Sequence, residues 1–373
     1  MSDLDYLIVI PETLITPDDH IKSRAPNLAV DAANGRVHIV WFDRQEENDI
    51  LLRSASTVEL HYRVMNLNGG EIVPITTLTS GLTIDVDWGE PEIALDGNGN
   101  AHIVYAKDLD GNSEEDEDRD DREVFYTVVA VSGNSATTLV NDTMITAEDG
   151  HASTRAQLAI DANGMVHVIW HDKRFKDAGT GENEIFYCKL NPNPGSGTVG
   201  FVIAEAQVTP DNGMKSNQKG IAIDNCGRVH IAWGEGWEWY DDEPEPLERD
   251  LYYQVFDSSG GSLNEVISAY RVTGSETLFL PCYWHYSAGS SSRNPHLAIL
   301  GDNRVLIAFS GGLFPNIEYN DEEGEFDIYL AILDVPPCPE RPIPSMNTWG
   351  IIFLLMLLSG IGFWVFVRRT KTG

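Results

Sequence analysis

A pattern of apolar and polar positions recurs along the chain and predicts β-strands. Each copy has an apolar run, an Asp/Asn/Gly turn and a second apolar run that ends in an aromatic residue; the copies are 27–41, 92–105, 157–170, 220–233 and a diverged 296–309. Two short apolar runs across such a turn indicate a β-hairpin. The turn aspartates recur at intervals of 65, 65 and 63 residues, at Asp31, Asp96, Asp161 and Asp224. This regularity predicts a protein built of internal repeats.

Each repeat continues with two further predicted strands. The third strand opens on an acidic residue, at Glu59, Glu123, Glu184, Asp250 and Asp327. A weaker fourth strand ends on a threonine, at Thr79, Thr146, Thr209 and Thr273. Four antiparallel strands per repeat, arranged radially, are typical of a β-propeller blade.

The strand count predicts a closed ring. First, second and third strands occur five times, whereas internal fourth strands occur only four times. Residues 5–16, DYLIVIPETLIT, supply a further strand that would pair with the last blade and leave no open edge. We therefore predict an all-β fold, a five-bladed β-propeller over residues 1–335. A larger propeller truncated at its start is the alternative.

The end of the chain carries a predicted membrane anchor. Residues 348–367 are twenty residues without a charge, enough to span ~30 Å as a helix. Basic residues in the tail 368–373 predict that this tail is cytoplasmic and that the propeller is exported. The N-terminus has no basic segment and no long apolar run typical of a signal peptide, so we expect a misplaced start or a fragment. A cytosolic tail-anchored protein is the alternative.

The Pro-rich spacer 336–347 and the start of the apolar stretch contain a recognisable motif. Its features are an Ile-Pro pair, a Trp-Gly pair and an arginine pair after the apolar run: Ile343, Pro344, Trp349, Gly350, Arg368 and Arg369. This pattern resembles the IPTL-type C-terminal sorting signal of Gram-negative bacteria, with Ser345 and Met346 at the usual Thr and Leu positions. The resemblance implies an envelope protein handled by a membrane transpeptidase.

The number and position of the charged residues bear on which ligands the chain can bind. The chain has 58 acidic and 25 basic residues and a formal net charge of −33, which argues against nucleic-acid binding. The stretches 108–123, 235–250 and 318–327, which lie between second and third strands, hold 24 of the acidic residues. The first offers a candidate set of Ca²⁺ ligands: Asp108, Asp110, Asn112, Glu114 and Asp116. It lacks the spacing of an EF-hand, and a solvated acidic surface is the alternative.

Aromatic and arginine side chains form the candidate ligand-binding set. The aromatic residues occupy the same predicted side as the acidic loops: Trp237, Trp239, Tyr240, Tyr283, Trp284 and Tyr286. They suit stacking on a sugar or peptide, or they form a small core that covers the propeller. Arg24, Arg155 and Arg293 precede three innermost strands at offsets of seven, six and seven residues from the turn position.

Several repeated polar residues are predicted to be structural. His38, His102, His167 and His230 recur in second strands, where we expect hydrogen bonding and not a metal site. Ser23, Ser153, Ser216 and Ser292 are expected to tie down the start of first strands. The chain has four cysteines, at Cys188, Cys226, Cys282 and Cys338, and their spacing specifies no pairing.

The repeat region resembles the sialidase-like propeller repeats of bacterial surface proteins. The likeness lies in the turn-bounded hairpin with its Asp, Gly and aromatic residues, and the Ser-x-Asp-x-Gly-x-Thr-Trp form of an Asp-box is absent. It therefore implies a fold and no activity. We interpret the chain as a non-enzymatic, envelope-displayed module that binds a glycan or a protein. A sialidase-like glycoside hydrolase, with the arginines gripping the substrate, is the alternative.

Overall fold

The computed structural model describes residues 14–17, 22–44, 57–83, 90–109, 122–177, 183–236, 249–273, 295–301, 304–311 and 327–337. The chain forms two compact units, Met1–Val335 and Pro336–Gly373. The predicted membrane helix and sorting motif lie outside the described residues. Within the described ranges, no helix is long and apolar enough to cross a bilayer.

Strands dominate the described residues, and the predicted hairpins are confirmed. Sheet 1 contains β1 (Lys22–Asp31), β2 (Arg36–Arg44), β3 (Thr57–Asn66) and β4 (Glu71–Thr83). Sheet 2 contains β5 (Glu92–Leu95), β6 (Ala101–Asp108), β7 (Arg122–Ser132) and β8 (Ser135–Met144). Sheet 3 contains β9 (Ser153–Ile160), β10 (Val166–Asp172), the short α1 (Arg174–Asp177), β11 (Glu184–Asn193) and β12 (Thr198–Gln207).

The last two sheets follow the same pattern. Sheet 4 contains β13 (Lys215–Ile223), β14 (Arg228–Gly236), β15 (Arg249–Asp257) and β16 (Asn264–Arg271). Sheet 5 contains three described strands, β17 (His296–Leu300), β18 (Arg304–Gly311) and β19 (Asp327–Asp334). In every sheet each strand pairs antiparallel with its neighbour in sequence. The fold is therefore all-β and is made of repeated antiparallel sheets.

The sheets pack side by side in chain order. β5 contacts β1 and β9, and β13 contacts β9 and β17, so first strands adjoin one another. Apolar side chains from consecutive sheets form a shared core at each junction. The repeated aromatic residues of the second strands are buried: Trp41, Tyr105, Trp170, Trp233 and Phe309. This is a propeller-like arrangement, stabilised by apolar area removed from water.

The repeated histidines of sheets 1 to 4 are buried, and each is hydrogen-bonded to a tyrosine of the same sheet. In sheet 3, His167 Nδ1 lies 2.8 Å from the Tyr187 hydroxyl, and its Nε2 lies 3.5 Å from Asp161 Oδ2. Asp161 also accepts backbone N–H bonds from its turn. Burial lowers the pKa of His167 to about 4, and burial raises that of Tyr187. A neutral, buried imidazole between two partners confirms the structural interpretation.

The same pairing recurs around the other sheets. His38, His102 and His230 lie 2.6, 2.5 and 2.6 Å from the hydroxyls of Tyr62, Tyr126 and Tyr253. The tyrosine comes from the third strand, opposite the histidine strand. Each histidine therefore joins the turn of its hairpin to the next strand of the same sheet.

A second repeated contact, here called the carboxyl clasp, joins one sheet to the next. Glu184, which opens β11, accepts hydrogen bonds from Thr209 Oγ1 at 2.5 Å and from Ser216 Oγ at 2.9 Å. The Ile185 N–H in turn donates to Thr209 Oγ1 at 2.8 Å. Glu184 belongs to sheet 3 and Ser216 to sheet 4. The repeated serine therefore binds the preceding sheet as well as its own strand start.

The clasp is repeated at two further sheets. Where sheet 2 meets sheet 3, Glu123 accepts from Thr146 Oγ1 at 2.5 Å, and Ser153 lowers the pKa of this carboxyl against the larger effect of burial. In sheet 4, Thr273 Oγ1 donates to Asp250 Oδ1 at 2.8 Å. Burial raises the pKa of both Glu123 and Glu184 to about 8. These carboxyls are therefore largely protonated at neutral pH.

The clasp predicts a specific pH dependence of stability. The folded pKa of Glu184, about 8, lies above its ordinary value of 4.5, so its contribution is full below pH 4.5 and is lost as pH rises towards 8. Glu184→Gln keeps the hydrogen-bonding shape and cannot ionise. From about pH 5 to pH 8 its free energy of unfolding should therefore rise relative to wild type by about 2–4 kcal/mol. Urea unfolding at each pH measures this.

The matched control for this experiment is Glu148→Gln, because Glu148 is exposed. Its stability should follow that of the wild-type protein at every pH. A Glu184→Gln curve parallel to wild type across the whole range would mean that Glu184 is ionised in the folded state.

Candidate functional site

Polar side chains gather where the first strands of four sheets adjoin, and we call this group the central cluster. Its members are Asn27, Glu90, Glu92, Arg155, Gln157 and Lys219. Asn27 Nδ2 on β1 donates to Glu92 Oε2 on β5 at 2.8 Å. Lys219 Nζ on β13 donates to the backbone carbonyl of Arg155 on β9. Two hydrogen bonds thus link the first strands of sheets 1 and 2 and those of sheets 3 and 4.

The repeat register explains why these side chains meet. Asn27, Glu92 and Gln157 all stand four residues before the turn aspartate of their repeat. Successive side chains of a strand point to opposite faces. This position therefore lies on the other face from the apolar residues one and three positions before the aspartate, which pack between sheets. Because the first strands adjoin, equivalent polar positions are brought together. The repeat therefore builds one shared site from single residues in separate sheets.

The backbone is distorted at this same point in three first strands. The pairing register shifts between Arg24 and Asn27 in β1, around Arg155 in β9, and between Asn217 and Gly220 in β13. Arg155 has φ +51° and Ala25 has φ +50°, both in the left-handed region that favours glycine. β-Bulges re-aim side chains and are enriched beside active sites. The distortion therefore supports a functional assignment of this region.

The cluster holds a carboxyl group poised to exchange a proton near neutral pH. Burial raises the pKa of Glu92 to about 7, against the opposing effect of the Asn27 hydrogen bond, and Glu90 raises it further. Lys219 is only 2% exposed, and burial together with Arg155 holds the pKa of its ammonium well below the usual value. Glu92 can therefore exchange a proton near neutral pH, and the Lys219 ammonium is disfavoured by its surroundings.

One further atom of the cluster has spare hydrogen-bonding capacity. Gln157 Oε1 is buried and accepts no hydrogen bond from the residues that the structure describes. Buried polar atoms are nearly always paired, so an acceptor of this kind favours an external donor. The cluster thus combines two carboxyl groups, two amides, a guanidinium and the Lys219 amine, a set that suits a polar ligand.

The central cluster does not decide which side of the sheets is the ligand side. Lys22 at the start of β1 pairs with Arg44 at the end of β2, so first strands begin where the loops after second strands leave. Those loops include 45–56, 110–121 and 237–248, which lie outside the described residues. Asn27, Gln157 and Lys219 lie near the middle of their strands, so the predicted ligand side stays a prediction.

The predicted arginines are only partly described. Arg155 belongs to the central cluster, whereas Arg24 lines a separate cavity of about 160 Å³ with Ile15, Thr16, Ser23, Pro26 and Trp41. Arg293 lies outside the described residues, so convergence of the three stays a prediction. All six predicted aromatic ligand contacts also lie outside them: Trp237, Trp239, Tyr240, Tyr283, Trp284 and Tyr286.

The candidate calcium site is described at one position only. Asp108 ends β6 and is buried, whereas Asp110, Asn112, Glu114 and Asp116 lie outside the described residues. Within the described ranges, no group of three His, Cys, Asp or Glu residues is arranged to hold a metal ion. The sorting-signal residues, from Ile343 to Arg369, also lie outside, and both assignments stay predictions.

The cysteines differ in state. Cys226 is disulfide-bonded, whereas Cys188 on β11 is a free thiol buried in the core between sheets 2 and 3. Burial raises the pKa of the Cys188 thiol, which makes it a poor nucleophile. Cys188 is therefore a packing residue.

Sequence reasoning missed most of the central cluster. Asn27, Glu92 and Gln157 carry a visible signal, because each is a polar residue within an apolar first strand at one repeat position. Lys219 is a charged residue directly before a buried strand segment. Aligning the repeats and comparing the same position in each repeat would have identified these residues, whereas the pattern within a single strand does not.

No family model and no curated protein matches the chain. A protein of unknown function from Dyadobacter fermentans is similar in structure, with 11% identity, coverage of 86% of this chain and 81% of that one, and a TM-score of 0.47.

Two sugar-active enzymes are similar to this chain in structure, with comparable values. An endo-arabinase from Bacteroides thetaiotaomicron has 12% identity, coverage of 85% and 96%, and a TM-score of 0.39. An α-L-arabinofuranosidase from Fusarium graminearum, in complex with arabinobiose, has 8% identity, coverage of 84% and 95%, and a TM-score of 0.46. At these values the similarity assigns neither an activity nor a ligand to this chain.

The shifted carboxyl of Glu92 is directly measurable. Infrared difference spectra between wild type and Glu92→Gln should contain a carboxyl C=O band that disappears with a midpoint near pH 7, because burial disfavours the anion. A difference spectrum against Glu148→Gln should lack that transition. A Glu92 midpoint at the ordinary glutamate value would mean that the cluster is solvated.

Proposed function

We propose that this chain is an envelope-displayed, five-bladed β-propeller that binds a glycan at the central cluster. The observation that carries the proposal is the polar group on adjoining first strands, in which Asn27 Nδ2 donates to Glu92 Oε2 and Lys219 Nζ donates to the Arg155 carbonyl. Sugar hydroxyls both donate and accept hydrogen bonds, and this set offers acceptors and donors together. The unpaired Gln157 Oε1 suits a donating hydroxyl.

The five-bladed ring is proposed from the strand count together with the five sheets. Five repeats supply five first, second and third strands, and residues 5–16 would supply the fourth strand of the last sheet. The central cluster then lies at the mouth of the ring. Such mouths are common positions for ligand sites in propellers and barrels.

The envelope location is proposed from the C-terminal sequence. The apolar stretch 348–367 would insert in the membrane, and the motif from Ile343 to Gly350 would be read by a sorting transpeptidase. The disulfide at Cys226 supports an oxidising compartment, where such bonds persist. The Ca²⁺ ligands offered from Asp108 onward would then face the exterior.

Glycan binding is tested with the full chain in detergent micelles. A glycan array should give a restricted set of neutral glycans, since the net charge of −33 disfavours acidic ones. By calorimetry, Gln157→Ala should weaken the best ligand roughly two- to tenfold, the contribution of one hydrogen bond. Its melting temperature should stay unchanged, because Oε1 has no partner among the described residues.

The control for Gln157→Ala is Thr138→Ala, an exposed position on the outer strand β8. It should leave affinity unaltered. An empty array would refute glycan binding, and equal affinities for wild type and Gln157→Ala would place the ligand away from the central cluster.

A glycoside hydrolase is the second candidate, favoured by the pKa of Glu92 near 7. A carboxylic acid that stays protonated near neutral pH can donate a proton to a glycosidic oxygen, while a second carboxylate such as Glu90 attacks the sugar or activates water. Glu92→Gln should then lower kcat about 10²–10⁴-fold. Wild-type kcat/KM should fall above about pH 7 as Glu92 ionises.

Release of reducing ends from the glycans that bind on the array measures this activity. Binding with no release over a long incubation would leave the binding module as the function. Release that survives Glu92→Gln would assign the reaction to other residues.

A further inference from the structure

The third strands of sheets 1 to 4 bury one set of alternating side chains against the next sheet. In β7 these are Val124, Tyr126 and Val128, each with no exposed surface. Ile328, Leu330 and Ile332 occupy the matching positions of β19 in sheet 5. They are 74%, 59% and 56% exposed. An apolar face that every other sheet buries is thus uncovered at sheet 5.

The pairing register establishes that these positions match. Glu184, the first residue of β11, pairs with Asp172, two residues after Trp170. Asp327, the first residue of β19, pairs with Gly311, two residues after Phe309. The apolar residues follow at the same spacing in both strands.

The first strand of sheet 1 has the complementary exposed face. Positions three and one before the turn aspartate carry Leu158 and Ile160 in sheet 3, and both pack into the core shared with sheet 2. In β1 the matching residues, Leu28 and Val30, are 57% and 53% exposed. Among the described residues, sheet 1 is the first sheet in sequence and sheet 5 is the last.

We infer that these two faces are partners, so that sheet 5 docks on sheet 1 through Leu330 and Leu28 and closes the ring within one chain. The inference deepens the five-bladed arrangement proposed above and does not depend on any ligand. Each face is apolar, and its counterpart is buried at the other junctions by the sheet that the repeat register places opposite. Burying both removes exposed apolar area in the same way.

The N-terminal segment supports the same junction. Ile15 packs beside Trp41 and Ile39 of sheet 1, and Arg63 Nη1 donates to its carbonyl. Val208, at the end of the fourth strand of sheet 3, packs in the core with Trp233 of sheet 4 in the same way. Relative to sheet 1, residues 14–17 therefore stand where a preceding fourth strand ends.

At this junction the sequence spacing of Thr16 and Ser23 matches that of a carboxyl clasp, and a cavity lies beside them. Thr16 precedes Ser23 by seven residues, as Thr209 precedes Ser216 in a formed clasp. Thr16 and Ser23 line the cavity of about 160 Å³ that also borders Trp41. In the formed clasp the carboxyl belongs to Glu184 at the start of β11, and β19 is the strand that corresponds to β11 in the repeat.

Substitution of the two faces tests the junction in the full chain. Leu330→Asp and Leu28→Asp should each lower the melting temperature by several degrees, because each would bury a charge in the closed ring. Val266→Asp is the matched control, since Val266 is 45% exposed on the outer strand β16. It should shift the melting temperature little. Equal, small shifts for all three variants would overturn the inference.

Milder variants separate contact between these residues from general misfolding. In a double-mutant cycle, Leu28→Ala and Leu330→Ala should be non-additive, because residues that touch are energetically coupled. Additive effects would overturn direct contact.

Sedimentation of the wild-type chain in detergent should give one protomer per particle. A dimer that Leu330→Asp dissociates would overturn closure within the chain and assign the face to a second copy. The glycan array measures ligand binding and not ring closure, so a negative array would not contradict the junction between sheets 1 and 5.

Discussion

Each sheet of this protein depends on its neighbours, because its strands carry apolar side chains that can only be buried between two sheets. Trp170 and Tyr126 come from different sheets and share one core. Packing on both faces leaves little water to satisfy polar groups within a sheet. The hydrogen bond between His167 Nδ1 and the Tyr187 hydroxyl pairs two such groups within one sheet, and the same pair recurs in sheets 1, 2 and 4. Burial between sheets therefore determines both the core and the polar contacts inside it.

The same packing creates the candidate site. Side-by-side sheets bring their first strands together, so one polar residue per repeat suffices to form a group. Asn27 and Glu92 are 65 residues apart and hydrogen-bond directly. The bulge at Arg155 and the burial of Lys219 are departures from regular strand chemistry at the point where sheets meet. Departures of this kind concentrate at functional sites, where regular packing gives way to ligand chemistry.

Much of the fold could be predicted from the sequence, because turn and strand signals are local. Asp161 was assigned correctly from its spacing, because a turn aspartate bonds to the backbone of its own hairpin. The Tyr187 partner of His167 was missed, because it depends on the pairing register between separate strands. Lys219 and Glu92 were missed for a stronger reason. Their proximity depends on the order of four sheets, which no local pattern specifies.

The carboxyl clasp also changes how the charge of this acidic chain should be counted. The formal net charge of −33 treats every carboxyl as ionised. Glu123 and Glu184, with pKa values raised to about 8, retain protons in the folded protein at neutral pH. Unfolding exposes these groups to water, where they ionise. The unfolded chain therefore releases protons to its surroundings, and its heat of unfolding depends on the ionisation enthalpy of the buffer that takes them up.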